Sequence, residues 1–241
     1  MIKLYQFPLS HYCEKARWAL DYKELAYEKF NIFPGSHFPI LKKLGLKAST
    51  VPVLIDQSAV VQGSSEIITY LDEKYPEKSL TPKDEVQKQE ALDWEAFADD
   101  EIGPHIRRCF YYILLKYRST VIEYLSYDCS WYAKPVISIV FPFLKKKMIV
   151  SMDISSSTNE ESKIKFFDAL NQLGGYLQER KFLVGNSFSR ADLAAASLVA
   201  PAFRPEKYGF TPKSTPGELQ EICDDITQRI PWAIRFYKEF R

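Results

Sequence analysis

Ser10-His11-Tyr12-Cys13 stands where an apolar strand, Ile2 to Phe7, hands over to a helix running from Cys13 to Tyr22. Thiol-disulfide chemistry at such a turn uses a Cys-x-x-Cys pair. Here a hydroxyl replaces the first sulfur, which removes the leading nucleophile and keeps a hydrogen-bond donor beside a helix N-terminus. Lowering a bound thiol from its ordinary pKa of about 8.5 by about two units takes roughly 2.7 kcal/mol. One charge-assisted hydrogen bond supplies about 1.5–3 kcal/mol, and a helix N-terminus adds about 0.3–1. Ser10 therefore reads either as a donor to a thiolate carried by a ligand or as a plain helix cap. It is a poor hydrolase nucleophile, because a serine needs an adjacent base. Of the three histidines only His11 is close in sequence, His37 and His105 reach Ser10 only through the fold, and no Gly-x-Ser-x-Gly elbow exists. Cys13 is either an acidic thiol at the helix start or a small buried residue, as free cysteine commonly is.

Two further groups carry binding chemistry. In Thr50-Val51-Pro52-Val53-Leu54 a proline directly precedes an apolar strand, where it offers the ladder no donor. A cis bond there would turn the Val51 amide and carbonyl outward, toward an extended peptide; the alternative is an ordinary edge-strand proline. Gly63-Ser64-Ser65-Glu66 opens a helix, so two free amides and the Ser64 hydroxyl form a small anion site suited to a carboxylate, or else Ser64 simply caps.

The elements that position these residues change texture along the chain. Strands over Ile2–Phe7 and Tyr27–Ile32, a hairpin of Val53–Ile55 and Ala59–Val61, and helices over Cys13–Tyr22, Phe38–Leu44 and Ser65–Lys74 give the order βαβαββα. Pro76 stops the last helix. Beyond Glu77–Lys83 only helical spacing remains. Residues 84–118 read as a long helix kinked at Gly103-Pro104, residues 152–162 as a polar connector, and Ile164–Glu179, Pro216–Gln228 and Pro231–Phe240 as helices. The division is two domains, 1–78 and 84–241: an α/β unit, then an all-α unit.

Composition excludes several classes. The 241 residues net +1, so no bulk attraction to nucleic acid is expected. The four cysteines have no metal-ligand spacing, and no metal is expected. Without a leader sequence a reducing cytoplasm is the default. Aromatic content of 15% fits an aromatic-lined cavity or simply a core of large side chains. The most apolar run, Val136–Leu144, is far short of the roughly 20 residues that span a bilayer, so no integral membrane segment is expected. Lys145–Lys147 after it leave a membrane-surface reading open beside the preferred one, a buried segment or aromatic wall.

Taken together, these features resemble the cytosolic glutathione transferases over essentially the whole chain: a thioredoxin-like α/β domain followed by an all-α one. Ser-His-Tyr-Cys-Glu-Lys-Ala-Arg (10–17) is similar to the Ser-Pro-Phe and Cys-Pro-Phe openings of the tau-like and omega-like classes. By that resemblance Ser10 takes the catalytic role, and Tyr12 lies in the same glutathione-binding turn. Val51-Pro52 matches the cis-proline pair whose backbone grips the cysteinyl part of glutathione, and Ser64 matches the serine that holds the γ-glutamyl carboxylate. Ser189-Arg-Ala-Asp192, a capping box flanked by a Phe188–Leu193 staple, resembles the second-domain folding motif. The resemblance implies glutathione as co-substrate, a hydrophobic electrophile against Phe110, Tyr111, Tyr112 and His105, detoxification chemistry, and a homodimer. Four features depart from the family: His11 replaces the usual proline, Gly63 stands where Glu, Gln or Asp is usual, Glu66 introduces a carboxylate near a site meant for carboxylates unless it points outward, and residues 127–152 have no close counterpart. Rival readings are a glutathione-dependent thiol-disulfide oxidoreductase using Cys13, and a non-catalytic binding protein.

Overall fold

The computed structural model describes all 241 residues. Strands β1 (Ile2–Gln6), β2 (Tyr27–Asn31), β3 (Val53–Asp56) and β4 (Ala59–Gln62) form one sheet in the order β2-β1-β3-β4. β2 runs parallel to β1, whereas β3 and β4 are antiparallel to their neighbours. Helices α1 (His11–Tyr22), α2 (His37–Lys43) and α3 (Ser64–Lys74) complete this part. From Glu85 onward the chain forms helices only: α4 (Glu85–Glu101), α5 (Gly103–Leu114), α6 (Arg118–Leu125), α7 (Ala133–Ser151), α8 (Ser156–Gln178), α9 (Arg190–Phe203), α10 (Gly217–Arg229) and α11 (Pro231–Phe240), apart from one short 3-10 turn. The fold is therefore α/β followed by all-α.

Strand directions bring the chemistry to one edge. β1 and β2 point the same way, and the antiparallel register sets Tyr5 opposite Val53 and Val53 opposite Gln62. The end of β1, the start of β3 and the end of β4 therefore meet. Ser10, Val51 and Gly63-Ser64 leave the sheet on that side, joined by the Pro34–His37 turn after β2.

α1 is the hinge of the packing. Ala16, Trp18, Ala19 and Leu20 are fully buried, and the helix lies against α3 and α9. Two buried ionic clusters fix it. Lys15 Nζ lies 2.8 Å from Glu95, 2.6 Å from Asp99 and 2.9 Å from Ser65 Oγ. Glu14 binds Arg17 and Arg241, each at 2.8 Å. On α9 the expected capping box is present: Asp192 accepts from the Ser189 amide at 3.0 Å and the Leu183 amide at 2.8 Å.

Four expectations are corrected. The break at Gly103-Pro104 separates two helices, with Pro104 in the first turn of α5. Residues 152–162 are mostly helix, because Ser155 and Thr158 form a capping box that starts α8. Ser64 is the first residue of α3 rather than its cap; Gly63 takes the cap position at φ +104°. The run Val136–Leu144 lies in α7, and its Ile139 and Phe143 are 80% and 72% exposed rather than buried.

Candidate functional site

Ser10 caps α1 by accepting from the Cys13 amide at 3.3 Å. The cap and the donor roles are compatible, because accepting from an amide does not use the hydroxyl proton. Cys13 is fully buried, and burial pushes its thiol up against the pull of Arg17 and Ser10. A buried thiol with a raised pKa is a weak nucleophile. His11 is also buried, and burial together with the Arg107 charge lowers it to about 3. A base that weak is neutral at pH 7 and cannot take the proton of a thiol near pKa 8.5.

Val51-Pro52 is cis, as the sequence position suggested. The Val51 amide and carbonyl have no partner among the turn and loop hydrogen bonds, while Pro52 O accepts from the Gly63 amide at 3.0 Å. That bond ties the Val51 edge to the start of α3. There Ser64 is buried and its hydroxyl makes no bond within the protein. Gly63 is required by the backbone: at φ +104° an L side chain is disfavoured, and a Cβ would come within 2.0 Å of Glu66 Oε2. The Glu66 carboxylate therefore folds back over Gly63, into the space that a family-type acidic or amide side chain would fill.

A cleft of about 330 Å³ opens at this edge, lined by Phe7–Tyr12, Pro34, Gly35, His37, Phe38 and Ser49–Val51 on one side. Arg107 and Tyr111 of α5, Leu125 of α6, and Leu144, Lys147 and Met148 of α7 face them. His37 Nδ1 accepts from the Gly35 amide at 3.0 Å, which leaves the proton on Nε2. A second cavity of about 70 Å³ lies behind Arg107 and Tyr111 and reaches Phe110.

Of the sequence-derived wall residues, Tyr111 lines the cleft and Phe110 the inner cavity. Tyr112 and His105 do not line the cleft. Tyr112 lies under Lys116 Nζ at 5.0 Å, and His105 Nδ1 pairs with Ser162 at 3.1 Å. The helical phase of α5 turns both away. Tyr12 lies in the cleft lining, but its hydroxyl donates to Asp99 O at 2.8 Å. Gly103 makes room for that ring, since a Cβ there would sit 2.1 Å from the hydroxyl.

Sequence reasoning missed Arg107 and named His37 and Lys147 without placing them in the cleft. For Arg107 a signal existed: Ile106, Phe110, Ile113 and Leu114 form the buried stripe of α5, and Arg107 is the charge next to it. Its Nε is buried without a hydrogen-bond partner, inside a largely apolar wall.

Comparisons with known proteins agree with this architecture. The glutathione S-transferase N-terminal domain family matches residues 4–79, and the glutathione S-transferase C-terminal domain family matches residues 132–217. The chain belongs to the glutathione transferase superfamily. It is 41% identical over 85 residues to glutathione S-transferase Z1 of Arabidopsis thaliana, a match covering 34% of this chain and 38% of that protein. A probable glutathione S-transferase of Nicotiana tabacum is 24% identical over 194 residues, 80% of this chain and 68% of that one. Among solved structures, a glutathione S-transferase from Methylobacillus flagellatus KT with glutathione bound has the same fold (TM-score 0.61, 20% identity, covering 99% of this chain and 93% of that one).

Proposed function

We propose that the protein is a glutathione transferase joining glutathione, through its sulfur, to a small electrophile. The observation that carries this reading is the convergence at one end of the sheet of the Ser10 hydroxyl and the Val51 backbone, both in the cleft lining, with the Ser64 hydroxyl at the start of α3 tied to them through the Gly63–Pro52 bond. Their order suits an extended tripeptide, with sulfur at Ser10, cysteinyl backbone at Val51, and γ-glutamyl carboxylate at Ser64 and the α3 amides. The Glu66 carboxylate, folded over Gly63, faces the γ-glutamyl ammonium. Residues 1–78 then hold glutathione, and residues 84–241 supply the wall for the second substrate. Conjugation with an aryl halide forms a carbon–sulfur bond; halide leaves with its electron pair and the thiol proton passes to solvent. Ser10 donates to the thiolate, and the cleft holds both reactants together. Arg107 favours an electrophile with an electron-rich polar group, such as a carbonyl or nitro oxygen, beside its apolar part.

The test is turnover of glutathione with an activated aryl halide. Ser10→Ala should lower kcat/KM by roughly 10- to 100-fold, the loss of one charge-assisted hydrogen bond. Cys13→Ser should leave it nearly unchanged. Undiminished activity in Ser10→Ala sinks the assigned role of Ser10, and abolished activity in Cys13→Ser favours thiol-disulfide exchange instead. Gly63, lacking the usual side chain, favours the non-catalytic binding reading. Immobilised glutathione tests it, since a protein that has lost the site flows through.

A further inference from the structure

α7 is apolar on two opposite faces. Ala133, Ile137, Phe141, Leu144 and Met148 recur at helical spacing and are buried. The opposite face presents Val136, Ile139, Val140, Phe143 and Val150 to solvent, with Ile139, Phe143 and Val150 exposed by 80%, 72% and 74%. Trp131, 88% exposed, and Tyr132 extend that stripe just ahead of the helix. An ordinary surface helix turns its polar side outward. This one does so only at its lysines and Ser151, and of the lysines Lys147 turns toward the cleft, 4.0 Å from the Phe38 ring.

The charge pattern says what covers the face. From Cys129 to Met152 the chain carries Lys134, Lys145, Lys146 and Lys147 and no Asp or Glu, although the whole protein nets only +1. A two-fold contact across this face would bring two lysine clusters together with no carboxylate on the segment to offset them. No helix is long and apolar enough to cross a membrane, so the stripe cannot span one. Large apolar side chains flanked by lysines, with Trp and Tyr at one end, match a helix lying in a lipid interface among anionic headgroups.

We propose that the outer face of α7, together with Trp131 and Tyr132, docks the protein on an anionic lipid bilayer. The inner face of the same helix walls the cleft through Leu144 and Met148. Docking would set the cleft beside the acyl chains, where lipophilic compounds concentrate. The proposal stands apart from the transferase reading, because its readout is partition rather than turnover.

The experiment is flotation of the full chain with phosphatidylcholine vesicles, with and without phosphatidylserine, alongside tryptophan fluorescence. Wild type should float with the phosphatidylserine vesicles, lose binding as salt rises, and show a blue shift that Trp131→Phe removes. The double variant Ile139→Glu/Phe143→Glu should partition at least about tenfold less. Lys134→Gln/Lys146→Gln should bind several-fold more weakly to anionic vesicles only. All of these positions are exposed, and a wild-type circular dichroism spectrum confirms folding. Wild type failing to float, or floating equally with neutral vesicles, overturns the proposal. So does a wild-type oligomer that Ile139→Glu/Phe143→Glu dissociates in sedimentation, since the face is then a contact between copies.

Discussion

At the scale of single residues, the site is defined by which polar atoms are already used. Ser10 accepts one bond from the Cys13 amide, and that bond does not use its hydroxyl proton. His11 is held neutral by burial and by Arg107, so neither imidazolium stabilisation nor base catalysis is open to it. In the proposed glutathione site, Glu66 would reconcile a backbone requirement with a binding one. The chain at residue 63 takes φ +104°, which glycine accepts at little cost, and the carboxylate comes from one helical turn further on. Glu66→Ala should therefore raise the KM for glutathione several-fold, about 1 kcal/mol for a half-solvated charge pair, and leave kcat nearly unchanged. Steady-state kinetics with varied glutathione check it. A fall in kcat at unchanged KM would place Glu66 outside the ground-state site.

At the scale of elements, helix ends are set by local hydrogen bonds. The Ser155–Thr158 box starts α8 inside a serine-rich run whose polarity suggests a loop. The Ser189–Asp192 box starts α9 and also fastens the Leu183 amide of the preceding segment. Its carboxylate is buried, and desolvation raises Asp192 to about 6 despite three donors. The sign follows from linkage: between the ordinary value near 4 and about 6 the unfolded chain has released this proton and the folded chain has not, so stability falls as pH rises through that window. Relative to Asp192→Asn, wild type should lose roughly 3 kcal/mol between pH 4 and 6 and change little above it. Urea unfolding of both proteins across that range measures the difference. A gap that widens in favour of wild type as pH rises would contradict it.

At the scale of the whole molecule, the sheet and the helices beyond it are locked by charges that are buried, apart from a partly exposed Asp99. Lys15 of α1 meets Glu95 and Asp99 of α4, and Arg190 of α9 binds Glu95 at 2.5 Å and the Ser65 carbonyl at 3.0 Å. Ser65 adjoins Ser64, so the same cluster holds the start of α3 in place. Removing one partner of a buried ion cluster leaves a buried charge uncompensated and typically costs about 3–5 kcal/mol. Lys15→Met should destabilise the protein by that amount, and adding Asp99→Asn should restore part of it; thermal unfolding of the single and double variants decides.

Part of what depends on neighbours along the chain was legible in the sequence, although the Ser155–Thr158 cap, equally local, was hidden in a polar run that reads as a connector. Strand and helix order follows from hydrophobic period, and the Ser189–Asp192 cap from residues three apart. The Val51-Pro52 turn and the place of Ser10 at a strand-to-helix junction are likewise local. The wall of the cleft was not legible, because it depends on helical phase. Tyr111 faces inward while Tyr112 and His105 do not, and packing against α8 and the other neighbouring helices fixes that rotation. α7 hides its phase more completely: a segment apolar on two opposite faces has no periodicity that says which stripe is buried. The fold-back of Glu66 and the meeting of Lys15 with Glu95 and Asp99 likewise join residues that only the folded chain brings into contact. The sequence by itself determined the order of elements in the α/β part and the caps at Ser10 and Ser189–Asp192, since those rest on bonds a few residues long. Tertiary structure alone decided which side chains share the cleft, which charges share the core and which face of α7 meets solvent, because each is a choice among helix rotations that local energies leave nearly equal.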